Sequence, residues 1–415
     1  MALDGDRTLV GFGFGPIQTG LFVYEAVQSG NFRRIVIAEV ARDIVEAVRA
    51  DGGIFSINVA HADGVRSDAL GPIEILDPAD ARDRETLVGA LAAASEIATA
   101  VPSVRFYRSD GAGSIHRLIA RGLERRTTPV LVYAAENHNE AAELLATAVL
   151  EEVAPETLED VRTRVQFLNT VVSKMSGAVV DPQEIAERGV QPLSVGLTTA
   201  HLVEEFNHIL VSRPRFPKGV TARHGITVFE EKDDLLPFEE AKLYGHNAAH
   251  ALAAYLAMPL GLTKLSELST RPEIVRFVRD AFLQESGAAL IRKYAGRDAL
   301  FTEEGYRAYV DDLLGRMLNP HLGDAVHRVA RDPRRKLGWN DRLIGTMRLA
   351  LERNIEPRRF AVGVAAALDC LQRDAPESLS EIWSDDHPEP ETVERILHLV
   401  EGGRVELERL CRGNA

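Results

Sequence analysis

The order of apolar and polar positions changes character partway along the chain. In the first half, short apolar runs alternate with amphipathic stretches. The runs at 8–11, 34–39, 54–60, 96–101, 104–107 and 129–134 have strand length and are bounded by turn residues. Helical periodicity falls between them, at 17–28, 42–50, 86–94 and 114–125. This alternation predicts an α/β fold, a mostly parallel, doubly wound sheet with helices on both faces. Further strand patterns at 166–175, 194–199 and 225–230 are expected to extend that sheet, with surface loops at 181–192 and 213–218. From about residue 236 long helical patterns run to Cys411, broken at Gly261, Pro272, Gly296, Pro320, Pro333, Gly338 and Pro357. The expected division is an α/β domain over 1–232 and a mostly α-helical domain over 233–415.

The first strand runs into Gly11-Phe12-Gly13-Phe14-Gly15-Pro16-Ile17-Gln18-Thr19-Gly20, then a helix, then a strand ending in Glu39. This is the strand, glycine turn, helix, strand-with-acid order of a Rossmann-type dinucleotide site. Gly13, Gly15, Pro16, Ile17 and Gln18 would bring backbone N–H groups to a pyrophosphate at a helix N-terminus. Gln18 stands where the third glycine of the pattern is expected. Glu39 would accept hydrogen bonds from a ribose, which favours NAD because a carboxylate repels a 2′-phosphate. Arg42 lies close enough to soften that preference, so NADP stays open. An ordinary βα turn is the plain alternative.

The second constellation is Lys242, Asn247 and His250, at Lys-x4-Asn-x2-His spacing in a helical pattern. At about 100° per residue these three fall within an arc of roughly 140°, and Glu239 and His246 project into it. Apolar Ala251, Leu252, Ala254 and Leu256 follow, so the helix is expected to be partly buried. A lysine held there would be partly desolvated, and its pKa lowered toward the range useful for proton transfer. The plain alternative is an amphipathic helix with a solvated polar face. This helix begins just after the change in pattern, so it is expected to line a cleft between the domains, where substrate sites commonly lie.

Composition narrows the classes. With 48 basic and 62 acidic residues the formal charge is −14, which argues against nucleic acid or an anionic membrane as principal partner. No apolar run is long enough to span a bilayer, and no signal-peptide pattern opens the chain. The only cysteines are Cys370 and Cys411, so a reducing cytoplasm is expected. His246 and His250 stand four apart, but no clustered Cys/His pattern accompanies them and no metal is expected. The expected partner is a small molecule, bound by a monomer or small homo-oligomer.

Further motifs extend the picture: Val132-Tyr133-Ala134-Ala135-Glu136-Asn137, Asn169-Thr170-Val171-Val172-Ser173-Lys174-Met175, Leu318-Asn319-Pro320, Arg335-Lys336-Leu337 and Asp341-Arg342-Leu343-Ile344. Together with the glycine turn and the lysine helix they resemble the polyol-specific long-chain dehydrogenases, the mannitol dehydrogenase family, over nearly the whole length. The last three motifs look most like the branch acting on phosphorylated polyols. The resemblance implies that Lys242 is the catalytic lysine and that Asn137 and Asn247 hold the substrate oxygen. It implies that His250 orients substrate or lysine, and that Glu239 helps a proton leave the site.

The implied reaction is metal-independent hydride exchange between NAD(H) and a secondary carbinol, with mannitol 1-phosphate and fructose 6-phosphate as the implied pair. Arg335, Lys336 and Arg342, beside Arg334, form a basic cluster suited to a phosphate. A solvated basic turn is the alternative for that cluster. Gly245-His246 departs from the bulkier apolar pair usual in the family, and Ala135 stands where a cysteine is common. An unphosphorylated hexitol, a keto-sugar acid, or a non-catalytic NAD-binding regulator remain open.

Overall fold

The computed structural model describes residues 7–374, 378–386 and 388–412. The chain divides between Leu235 and Leu236 into two units.

The first unit holds twelve strands: β1 Arg7–Phe12, β2 Phe32–Ala38, β3 Phe55–Ala60, β4 Val65–Leu70, β5 Glu74–Leu76, β6 Glu96–Thr99, β7 Val130–Ala134, β8 Val165–Val172, β9 Ser176–Val179, β10 Ala200–Glu204, β11 Ile209–Ser212 and β12 Phe229–Lys232. Eight form one sheet in the order β12-β11-β8-β7-β6-β1-β2-β5. Its pairs from β5 across to β8 are parallel, β8–β11 is antiparallel and β11–β12 is parallel. The remaining four make a second sheet, β4-β3-β10-β9.

The two-residue period of the strands distributes the core. Leu9, Ile37, Leu131 and Tyr133 join one buried cluster, while Val10, Val36, Ile97, Val130 and Val132 join the other. Both faces of the sheet are therefore covered, which is why β6 and β7 are buried at every residue.

Several expected elements differ. Residues 104–107 form a 3₁₀ turn rather than a strand, because Ser103 accepts the Arg105 N–H and turns the chain. Residues 194–199 are a loop. Asp51 takes the Ser194 hydroxyl and the Val195 N–H, and Gly196 adopts a φ of 84°. The strand lies just beyond, as β10. Pairing of 225–230 is delayed to Phe229 because the Glu96 carboxylate captures the Gly225 N–H. Residues 181–192, expected as loop, contain the helix Pro182–Arg188. It has an Asp181 N-cap, Pro182 in its first turn and Gly189 left-handed beyond its end. The strand at 54–60 belongs to the second sheet, so the later strands divide between two sheets.

The second unit is helical. One continuous helix runs through Leu236–Glu240, Ala241–Asn247 and Ala248–Ala257. Its last segment is buried throughout except at His250. The helices Pro272–Ala281 and Arg358–Asp374 pack against it and each other, and Pro390–Arg412 packs on Arg358–Asp374. Gly363 admits Leu252, whose Cδ1 would lie 2.6 Å from an added Cβ. Glu285, fully buried, accepts the N–H groups of Arg359 and Phe360 at the start of Arg358–Asp374. Among the described residues no helix is long and apolar enough to cross a membrane.

Candidate active site

In the first unit, β1 leads into a turn in which Gly13 has a φ of 87° and donates its N–H to Ala38 O at 2.9 Å. A side chain at Gly13 would meet Ala100 O at 2.9 Å. Gly15 caps the helix, its carbonyl accepting from Thr19 N at 3.0 Å, and Pro16 and Ile17 open the helix. A Cβ added to Gly15 would meet nothing within 4 Å, so this side of the turn is an open cradle for a phosphate group.

Gln18 is fully buried beneath the turn, and a Cβ on Gly11 would lie 2.2 Å from its Nε2. The small residue that usually sits on the helix is thus replaced by one on the strand. Gln18 opens a π-helical turn, Gln18–Val23. Glu39 follows β2, and its Oε1 accepts the N–H groups of Val40 and Ala41 at 2.7 Å each. The cradle at Gly15 and the carboxylate at the end of β2 fit a dinucleotide with unmodified ribose hydroxyls.

Asn137 lies exposed in the loop after β7. Its neighbour Glu136 is buried, accepts from Thr99 Oγ1 and Val101 N at 2.9 Å each, and also takes the Tyr107 hydroxyl. Burial raises the Glu136 carboxyl above its ordinary pKa, although those donors oppose it. The following helix, Ala141–Glu152, is satisfied at its start by Asn169 Oδ1, which accepts Ala142 N at 2.9 Å. Asn169 is thus one side-chain acceptor at that helix start, His138 Nδ1 accepts the Glu140 N–H just before it, and Glu136 anchors the loop that carries Asn137.

In the second unit, Ala241–Asn247 is a π-helical turn. The sequence spacing predicts an ordinary α-helix here, but i→i+5 bonding brings residues five apart toward one another. Lys242 and Asn247 are such a pair, so they share a narrower face than an α-helix gives. Thr346, fully buried, sets its hydroxyl 3.1 Å from Tyr244 O and also against Arg342 O, tying the turn to the Arg342 backbone. Gly245 is demanded by packing: a Cβ there would meet Tyr306 Oη at 2.7 Å and Phe282 Cε2 at 2.9 Å. Bulk absent from the turn is supplied by two aromatic rings from elsewhere.

Burial drives the Lys242 pKa down to about 8, and the Arg342 guanidinium pushes the same way; Glu239 opposes both. His246 is buried and held well below the ordinary imidazole range by burial, with His250, Arg316, Lys242 and Arg342 adding to it. The His250 ring lies tilted at 40° to that of His246, centroids 5.9 Å apart, and places Nε2 2.7 Å from Asp324 Oδ2. Sequence reasoning missed Asp324, Arg316 and Thr346. The one available signal was the four-residue spacing of Asp324 and Arg328, which do pair.

The basic cluster divides. Arg342 is half-buried, pairs with Asp341 at 2.8 Å and stands within the field of Lys242. Arg335 is half exposed and pairs with Asp332 at 3.0 Å. Lys336 is buried with its ammonium on the Arg331 carbonyl, and burial lowers its pKa to about 8. Among the described residues no group of three or more His, Cys, Asp or Glu is placed to hold a metal ion.

A glycine turn followed by a carboxylate in the first unit and a lysine of lowered pKa in the second are parts that a dehydrogenase would use. Residues 234–394 match the mannitol dehydrogenase C-terminal domain. The mannitol-1-phosphate 5-dehydrogenase of Bacillus licheniformis is 31% identical over 373 residues, covering 89% of each chain. That of Bacillus velezensis is 32% identical over 372 residues, again covering 89% of each. The chain belongs to the mannitol dehydrogenase family of oxidoreductases. In fold it is similar to a D-sorbitol dehydrogenase solved in substrate-free form, with 18% identity and a TM-score of 0.72, covering 99% of this chain and 92% of that one. It is also similar to Pseudomonas fluorescens mannitol 2-dehydrogenase in ternary complex with NAD and D-mannitol, with 15% identity and a TM-score of 0.71, covering 99% and 94%.

Proposed function

We propose that the protein is an NAD-dependent polyol-phosphate dehydrogenase that interconverts mannitol 1-phosphate and fructose 6-phosphate. The observation that carries this reading is Lys242: a lysine brought to a pKa of about 8 on a π turn that aligns it with Asn247, with Arg342 in its field. The relatives named mannitol-1-phosphate 5-dehydrogenase support the substrate. Glu39 supports NAD over NADP.

Bound NAD(H) supplies or accepts the hydride. Neutral Lys242 takes the hydroxyl proton as the polyol is oxidised, and its ammonium form returns a proton to the ketone oxygen in reduction. Asn247 donates its side-chain N–H to the oxygen as its charge develops, and the family resemblance gives Asn137 the same role. His250 orients the substrate hydroxyls, and Glu239 relays the proton between Lys242 and solvent. Arg342 holds the phosphate. Arg335 and Lys336 act further out, through the charge they share with it.

The test is NADH and NADPH oxidation with fructose 6-phosphate and with fructose, each beside its polyol in reverse. Turnover with NADH and the phosphorylated ketose supports the reading. Turnover confined to unphosphorylated sugars overturns the phosphate assignment, and tight NADH binding without turnover points to a regulator.

Arg342→Ala is expected to raise the KM for fructose 6-phosphate by about tenfold to a hundredfold, the worth of a charge-assisted hydrogen bond. The same change removes a cation from beside Lys242, so the lysine pKa rises and the pH profile of oxidation moves upward. A KM that stays put while the profile moves would mean that Arg342 tunes the lysine but holds no phosphate.

A further inference from the structure

Asp324 lies far from Lys242 in sequence and belongs to none of the motifs, yet it is the partner of His250. His250 Nε2 and Asp324 Oδ2 lie 2.7 Å apart, within hydrogen-bond reach, although their present alignment does not complete the bond. Asp324 is buried, and its other oxygen is taken by Arg328. Burial alone would raise its pKa, but His250 and Arg328 together hold it below the ordinary carboxylate value.

Its backbone is equally fixed. Asp324 O accepts Leu265 N at 2.9 Å, Val326 N donates to Thr263 O at 2.8 Å, and an antiparallel bridge joins Lys264 to Ala325 between them. A buried carboxylate on a clamped backbone is costly unless it holds something in place. The imidazole it contacts has two unlike nitrogens, and the bond made by one decides what the other offers.

We propose that Asp324 is a positioning residue for the reaction: it holds His250 with Nε2 as the hydrogen-bond donor, leaving Nδ1 as the acceptor offered to a substrate hydroxyl. This rests on the dehydrogenase reading above. Without the carboxylate the ring is free to turn or to exchange its proton between nitrogens, and a donor then faces the substrate where an acceptor is needed.

The experiment is a double-mutant cycle in the full-length protein with NADH and fructose 6-phosphate, joined to long-range proton–nitrogen NMR of the histidine rings. Asp324→Asn is expected to lower kcat at least tenfold with the KM for NADH unchanged. In a His250→Ala background the same change is expected to cost less than twofold. Costs that multiply across the two sites would overturn the proposal, since Asp324 would then act independently of His250. Asp324→Glu, which keeps the carboxylate, is expected to recover part of the lost kcat, and no recovery counts against the proposal.

The NMR spectrum of the unaltered protein is expected to show His250 protonated at Nε2, and protonation at Nδ1 alone would overturn it. That measurement decides even where Asp324→Asn does not fold. It also separates the two ideas: if no sugar is turned over, the proposed function falls while the tautomer is still read directly.

Discussion

Lys242→Ala is expected to lower turnover by about 10²- to 10⁴-fold, the range for loss of a positioned acid–base group. NADH binding should be unchanged, since the glycine turn and Glu39 lie in the other unit. Lys242→Arg should rescue nothing, because a guanidinium keeps its proton at any working pH.

The pH dependence follows from the direction of the shift. A lysine with a pKa of about 8 is an ammonium below that pH and a free amine above it. Polyol oxidation needs the amine, so its kcat/KM should climb with pH and level off above about 8. Ketone reduction needs the ammonium, so it should be level at low pH and fall through the same point. Initial rates across pH in both directions test this. Near-normal turnover in Lys242→Ala, or parallel profiles in the two directions, would remove Lys242 from the chemistry.

Replacing Asn247 by Ala should cost about 10²- to 10³-fold in kcat, the measured scale for one lost oxyanion donor. The KM for substrate should move little, because the interaction strengthens only as charge develops on oxygen. If Asn137 has the role that the family resemblance implies, Asn137→Ala should behave alike and the double variant should lose less than the product of the two. Glu136 supplies the control. Glu136→Gln loosens the loop without removing the amide, so its loss should appear with the fold intact and Asn137 in place. A KM effect with kcat preserved in Asn247→Ala would make Asn247 a ground-state binding group.

The sequence made much of this legible. The alternating runs showed a wound sheet because strands buried on both faces must be apolar, and β6 and β7 are. The glycine turn was visible because Gly13 requires a left-handed φ that few other residues tolerate. Lys242, Asn247 and His250 could be placed on one helix because helix spacing is local.

What stayed hidden is non-local. Residues 194–199 read as strand, but Asp51 captures the loop across the fold. The assignment of β3 and β10 to a second sheet rests on pairing partners about 140 residues apart, which no local pattern encodes. Gly245 looked like a departure because the aromatic rings that fill its space come from Phe282 and Tyr306. The four basic residues at 334–342 read as one cluster, yet neighbours Asp332 and Arg331 claim Arg335 and Lys336, while the charge of Arg342 acts on Lys242.

The sequence by itself determined which residue types stand on which element, because helix and strand periods are properties of the nearby chain. Only the tertiary structure decided what those residues do to one another. The π turn that draws Asn247 toward Lys242, the burial that brings the lysine to a pKa of about 8 and the carboxylate that meets His250 all come from packing between distant segments. A side chain's pKa and orientation depend on the dielectric and the charges around it, and those are supplied by whatever the fold brings near.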